Sequence, residues 1–363
     1  MPVREESFRI GCGRYIQGKG YISKCGEEII RHGTSPMIIG DDTTLGLTQE
    51  KLTKSIAPLC NNYEIIYHNG TCNDERATEL AAYAKSKGFD VIVGVGGGVL
   101  MDFAKLCAHF ADLPVINVPT SSATCASYAP LSVRYTPDGR TVGSKHYDRE
   151  VNAVIADTEI IGAQPVRLLL SGVFDALAKF IEIKQRFNES TENYPIGLDY
   201  AYVLSRRSYE VLNSKIEDCI ADMKRGEITG NVDQVIFTAI AATGVISGIA
   251  RGSNQCALAH KFYEATRTLF HESAKPYLHG EIVGVGLLLQ NHFNGEEENN
   301  ASLLELMKKN GMPYRVSDIG IKKSEEIFEK YYEILCASSA LDKDNAEECA
   351  RFRESLRYLW EVK

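Results

Sequence analysis

Val91–Lys105 reads VIVGVGGGVLMDFAK: an apolar run, three consecutive glycines, then an amphipathic stretch with Asp102 and Lys105 on one side. Val91, Ile92 and Val93 suit a strand buried on both faces. A helix follows almost at once. Gly96-Gly97-Gly98 removes three side chains at the joint, so backbone N–H groups at a helix start can approach an anion, for which a phosphate is the natural guest. The spacing misses the common G-x-G-x-x-G fingerprint, because Val99 stands where the third glycine belongs and no acidic residue closes a strand about twenty residues on. The stretch is either a structural strand-to-helix turn or a phosphate cradle of another kind, and its neighbours decide.

Outward from it, short apolar strands alternate with amphipathic segments. Upstream, residues 8–20 read as a strand and glycine-rich loop, followed by a strand at Pro36–Gly40, a polar turn at Asp41–Thr44 and a helix at Gln49–Asn61. A strand at Tyr63–Tyr67 and a helix at Asp74–Lys87 complete the approach. Downstream, Leu113–Val118 ends in Pro119-Thr120-Ser121-Ser122-Ala123-Thr124, and Pro137-Asp138-Gly139-Arg140 marks a hairpin before a last strand at Asn152–Ile155. This alternation predicts a parallel sheet with its site on the strand-end loops. Asp41, directly after a strand, stands where a carboxylate meets a ribose hydroxyl. Beyond Pro165 only three of the eleven prolines remain, and helical spacing dominates from Val166–Phe187 through Gly197–Ser214, Val232–Ala250, Cys256–Phe270 and Glu281–Asn291 to Lys323–Leu335. The expected organisation is an α/β N-terminal domain, residues 1–161, with a parallel dinucleotide-binding sheet, and an all-α C-terminal domain, residues 162–363.

Composition narrows the function. A chain of 363 residues exceeds one ordinary core, and its 44% hydrophobic content excludes a disordered polymer. The net charge of −8 with no basic run argues against nucleic acid and anionic membrane, leaving small molecules as partners. The start MPVREESFRI lacks a signal-peptide core and no run is expected to approach the roughly 18 apolar residues of a membrane span, so the expected location is cytoplasmic. Ten cysteines scattered without a C-x-x-C pair read as reduced core thiols.

In the helical half, Asp175 lies in the apolar stretch LLLSGVFDALAKF, where an unpaired carboxylate would cost several kcal/mol and needs a cation. His260 in QCALAHKFY and His279 in PYLHGEIVG complete a set of one carboxylate and two imidazoles, which leaves a divalent metal open positions for water and substrate. His271 competes with His279, which ranks higher because Gly280 and Glu281 start a helix directly after it.

Together, GVGGGVLMDFAK, PTSSATCASYAPLSVRYTPDG, LLLSGVFDALAKF, ALAH and YLHGE resemble the glycerol dehydrogenase branch of the metal-dependent, iron-type alcohol dehydrogenases, in order from about Ile10 to Gln290. The resemblance implies a dehydroquinate synthase-like fold, a cleft holding NAD or NADP with one Zn²⁺ or Fe²⁺, and a homo-oligomer. It implies Asp175, His260 and His279 as metal ligands, and Asp41, Gly97, Gly98, Asp102, Thr120, Thr124, Leu131 and Tyr135 as cofactor contacts. Cys125 stands where the family has a polyol-binding aspartate, and Tyr263 where it has a second histidine; both are expected in the substrate pocket. A missing carboxylate eases entry of an anionic substrate, and T-C-A-x-x-x-P-L-S-V-x-Y resembles a sub-branch that reduces 2-oxo acids to 2-hydroxy acids. The expected reaction is hydride transfer between a small hydroxy compound and its ketone or aldehyde, with a water or Tyr263 relaying the proton. Three alternatives remain: a dehydroquinate synthase-like cyclase, a glycerol-1-phosphate dehydrogenase-like enzyme and a non-enzymatic nucleotide-binding protein with a decayed site. The first two would need a basic pocket, for which Lys179, Lys261, Arg267 and Lys275 are candidates.

Overall fold

The computed structural model describes residues 10–188, 195–251 and 255–363; Phe8 and Arg9 of the expected first strand lie outside them. Eight strands form: β1 (Tyr15–Gly18), β2 (Pro36–Gly40), β3 (Glu64–Tyr67), β4 (Val91–Gly96), β5 (Val115–Pro119), β6 (Leu131–Tyr135), β7 (Thr141–His146) and β8 (Ala153–Asp157). Six of them make one sheet in the order β1-β8-β5-β4-β2-β3, parallel throughout, and β6 pairs with β7 as a separate antiparallel hairpin. Every residue of β4 is buried, as its β-branched run requires when helices cover both faces of a sheet. One cover is the helix Gly98–Ala111, whose Phe103, Ala104 and Cys107 pack with Met37, Ile39 and Ile92.

Turn chemistry moves one expected boundary. The polar residues after β2 are the start of a helix, Asp42–Ile56, rather than a turn ahead of one at Gln49–Asn61. Asp41 is its N-cap, with Oδ1 accepting the Thr44 amide at 2.7 Å and Thr44 Oγ1 accepting the Asp41 amide at 3.2 Å. That reciprocal pair satisfies two otherwise orphaned donors.

By its internal contacts the chain divides into two units. One runs to Pro165 and takes back Asn213–Val245; the other holds Val166–Leu212 and Ile246–Lys363. This differs from a single cut at 161/162 in that Asn213–Val245 folds with the sheet. The reasons are long-range: Gln17 Nε2 donates to the Asp233 carbonyl at 2.8 Å, Tyr15 packs edge-on against Phe237, and Gly162 leaves room for Ile228 and Val232. The run Gly230–Ile249 is also long and apolar enough to cross a membrane by length and composition, correcting the expectation that no run comes near. Its most apolar window is 56% buried within the protein, as in a core helix.

Among the described residues, the regular elements of the second unit are all helices. Its centre is the helix Val166–Asn188, against which the helices Leu258–Leu269 and His279–Phe293 pack. None of the ten cysteines is in a disulfide.

Candidate active site

In the sheet unit, parallel register aligns strand ends. Gly40 pairs with Val95 and Gly96 with Pro119, so Asp41, Gly97 and Thr120 leave three adjacent strands at one edge. The Thr120 amide donates to the Gly96 carbonyl at 2.9 Å. Gly97 caps the helix Gly98–Ala111 without any side-chain hydrogen bond, so the first-turn N–H groups are left for an anion. A Cβ at Gly97 would meet nothing nearer than Ser121 Oγ at 3.8 Å, whereas one at Gly98 would stand 2.9 Å from Thr124 Oγ1. Gly97, Gly98, Thr120 and Thr124 thus form a cradle walled by backbone and hydroxyls. Gly94 does what the missing third glycine would do: a Cβ there would sit 2.5 Å from Ala104 Cβ, so the helix lies directly on its strand. Gly96 turns the chain at φ +153, a region that L side chains rarely adopt.

Asp102 lies deeper. Its carboxylate is buried, with Oδ1 2.9 Å from Lys105 Nζ and Oδ2 accepting the Val133 amide at 3.0 Å. Burial pushes its carboxyl above the ordinary value against the pull of Lys105. Lys105 in turn donates to the carbonyls of Ala126 at 2.6 Å, Ala129 at 2.8 Å and Leu131. The pair therefore ties the loop after Thr124 and the start of β6 to the cradle helix. Leu131 and Tyr135 are the two ends of β6, and the Tyr135 amide donates to the Cys72 carbonyl at 2.8 Å. Cys125 is half-buried, its carbonyl accepting the amides of Tyr128 and Ala129.

In the helical unit, Asp175, Lys179 and Glu182 follow one another at i, i+4 and i+7 on one face of the helix Val166–Asn188. His260 stands in the first turn of the next helix because Glu182 Oε1 accepts the amides of Ala257 at 2.8 Å and His260 at 2.9 Å. Glu182 Oε2 also holds His260 Nδ1, turning Nε2 toward Asp175. His279 opens the helix His279–Phe293, whose start is fixed by Glu281: its Oε2 accepts the Leu278 amide at 2.7 Å while Arg167 grips both its oxygens at 2.6 and 2.7 Å. Gly280 lies so close to the aspartate helix that a Cβ there would be 1.8 Å from the Ser171 carbonyl oxygen.

The ligand atoms of Asp175, His260 and His279 all lie within 4.8 Å of one another. Asp175 Oδ1 is 3.4 Å from His260 Nε2 and 3.6 Å from His279 Nε2. Tetrahedral donors about 2.1 Å from a zinc ion are about 3.4 Å apart, so the spacing fits a divalent metal. Lys179 Nζ joins the cluster, 3.0 Å from Asp175 Oδ1 and 3.4 Å from His260 Nε2. Burial pushes the Asp175 carboxyl up, but Lys179 and the two imidazoles hold it well below its ordinary range. Burial pulls His260 down, and Cys256 and Glu182 carry it well above; His279 is kept low by its burial despite Asp175. The Tyr263 ring meets His279 edge-on at 4.3 Å. Arg267 lies over Tyr263 and donates to the carbonyls of Ala274 and Tyr277, while Lys261 pairs with Glu264; of the basic candidates, Lys179 is the one against the ligand atoms. Glu182 is the residue that sequence reasoning missed, although its i+7 spacing from Asp175 places it on the same face.

Residues 12–158 match the iron-containing alcohol dehydrogenase family. Glycerol dehydrogenase of Thermotoga maritima is 31% identical over 89% of this chain and 88% of its own, and hydroxycarboxylate dehydrogenase A of Escherichia coli is 29% identical over 70% of each. The fold of glycerol dehydrogenase from Schizosaccharomyces pombe superposes with a TM-score of 0.84 over 98% of this chain and 90% of its own, at 23% identity. The chain belongs to the iron-containing alcohol dehydrogenase family. Within that family it stands in the glycerol dehydrogenase-like branch, and it is a metal-dependent, NAD-linked oxidoreductase acting on CH–OH groups of small molecules.

Proposed function

We propose that the protein interconverts a 2-oxo acid and its 2-hydroxy acid, with Asp175, His260 and His279 holding Zn²⁺ or Fe²⁺ and with Asp41, Gly97, Gly98, Thr120 and Thr124 holding the cofactor. The observation that carries the substrate class is the Lys179 ammonium at 3.0 Å from Asp175. Asp175 and Glu182 contribute two negative charges, Lys179 one positive charge and a divalent ion two, a surplus of one that a substrate carboxylate offsets. When bound, the ion supplies Lewis acidity toward the substrate oxygen and NAD supplies the hydride-accepting ring.

The chain's own groups do the positioning. Glu182 holds His260 by Nδ1 so that Nε2 faces the ligand cluster, and Arg167 with Glu281 sets the helix that presents His279. The first-turn N–H groups after Gly97 receive pyrophosphate oxygens. Asp41 favours NAD over NADP, because a 2′-phosphate would meet a carboxylate. Tyr263, packed on His279, is placed to pass the hydroxyl proton. The same reading makes the enzyme a cytoplasmic homo-oligomer with no nucleic-acid or membrane partner.

The test is NAD(P)H absorbance with Zn²⁺- or Fe²⁺-loaded protein and 2-oxobutanoate, 2-oxoglutarate, dihydroxyacetone, glycerol and 1,2-propanediol. The oxo acids are expected to give the highest kcat/KM. A preference for glycerol or the diol, as the name of the 31% identical glycerol dehydrogenase suggests, would overturn the substrate class. Wild-type metal content in His260→Ala would overturn the site.

A further inference from the structure

We propose that Lys179 is a resident cation that competes with the metal ion for its own ligands, and so sets how tightly the ion is held. The inference rests on Asp175, His260 and His279 being those ligands. Lys179 is buried, its side chain 5% exposed. It rises from the helix that carries Asp175, one turn further on, and its ammonium meets two of the three ligand atoms at 3.0 and 3.4 Å. An ion in contact with both atoms shares them with a second positive charge in a water-poor interior, where like charges repel most strongly. As the ion enters, the ammonium turns away from both atoms and toward water. Without an ion, the same ammonium joins the two imidazoles in compensating the buried Asp175 carboxylate.

The other buried lysine shows the alternative. Lys105 is surrounded by three backbone carbonyls besides Asp102. Those acceptors belong to the framework, whereas two of the partners at Lys179 are side chains that the ion requires.

The full chain is stripped of metal and titrated with Co²⁺ against a chromophoric chelator, comparing wild type with Lys179→Met and His260→Ala. Lys179→Met is expected to bind Co²⁺ about tenfold tighter or more, by removal of the competing charge. In wild type, acetic anhydride labelling of Lys179, read by mass spectrometry, is expected to rise when Co²⁺ is added. A folded Lys179→Met protein that binds Co²⁺ no tighter than wild type overturns the proposal. If that variant does not fold, labelling decides, and equal modification with and without Co²⁺ overturns it. Wild-type Co²⁺ affinity in His260→Ala instead defeats the ligand assignment beneath it.

Discussion

Each unit of this protein buries one aspartate–lysine pair on a helix, and the two pairs are built differently. Asp102 and Lys105, three residues apart, are surrounded by main chain: the Val133 amide on the acid and three carbonyls on the base. Asp175 and Lys179, four apart, meet side chains: the imidazoles of His260 and His279 at the acid and that of His260 at the base. The first pair ties a loop and a strand to its helix through the main chain. The second meets side chains whose ligand atoms lie within 4.8 Å of one another, the group to which the proposed function assigns the ion.

Breaking each pair separates the two roles. Lys105→Met leaves Asp102 and three carbonyls without their cation and is expected to cost about 3–5 kcal/mol in denaturant unfolding, with no recovery on adding metal. Lys179→Met should lose stability in the metal-free protein but regain it with Zn²⁺, since an ion at 100 times its Kd contributes about 2.7 kcal/mol. Glu182→Gln keeps the size of the side chain that orients His260 but removes its charge, and should lower metal affinity about 10- to 100-fold by chelator competition. On the backbone side, Gly97→Ala puts a methyl into space bounded only by Ser121 Oγ at 3.8 Å, so the fold should persist while NAD⁺ affinity falls about tenfold, or 1.4 kcal/mol, by fluorescence titration.

The smallest expected effect is a pH dependence in the sheet unit. His68 stacks on Phe103 at 3.7 Å, and burial lowers its pKa. With the folded value below the unfolded one of about 6.5, the unfolded chain takes up the proton first on acidification. This contribution to stability is therefore full above about pH 6.5 and is lost as pH falls from there through the folded value. His68→Phe should flatten that part of the stability profile measured by thermal unfolding.

The sheet and its cradle were legible because the information is local: a β-branched run, three glycines and a helix within fifteen residues. The convergence of Asp175, His260 and His279 was legible for a different reason, since an aspartate inside LLLSGVFDALAKF demands a cation and two histidines offered themselves with it. The return of Asn213–Val245 to the sheet was not, because what binds it is a hydrogen bond from Gln17 and packing at Gly162 across long stretches of sequence. Asp41 was placed correctly after its strand but read as part of a turn, because the same Asp-x-x-Thr spacing serves a turn and a helix cap. Lys179 could be named as basic but not located, since a lysine on an apolar helix usually carries its charge out to water.

One distance in the helical unit is set by an absence. Gly280 follows His279, and the Ser171 carbonyl oxygen fills the space that its side chain would need. The approach of the two backbones that carry imidazole and carboxylate is thereby a mechanical stop: backbone rests on backbone. Any larger residue at 280 would act as a shim, lifting His279 off the aspartate helix while leaving every donor chemically intact. Such a protein would carry the complete ligand set and the wrong bore for its ion.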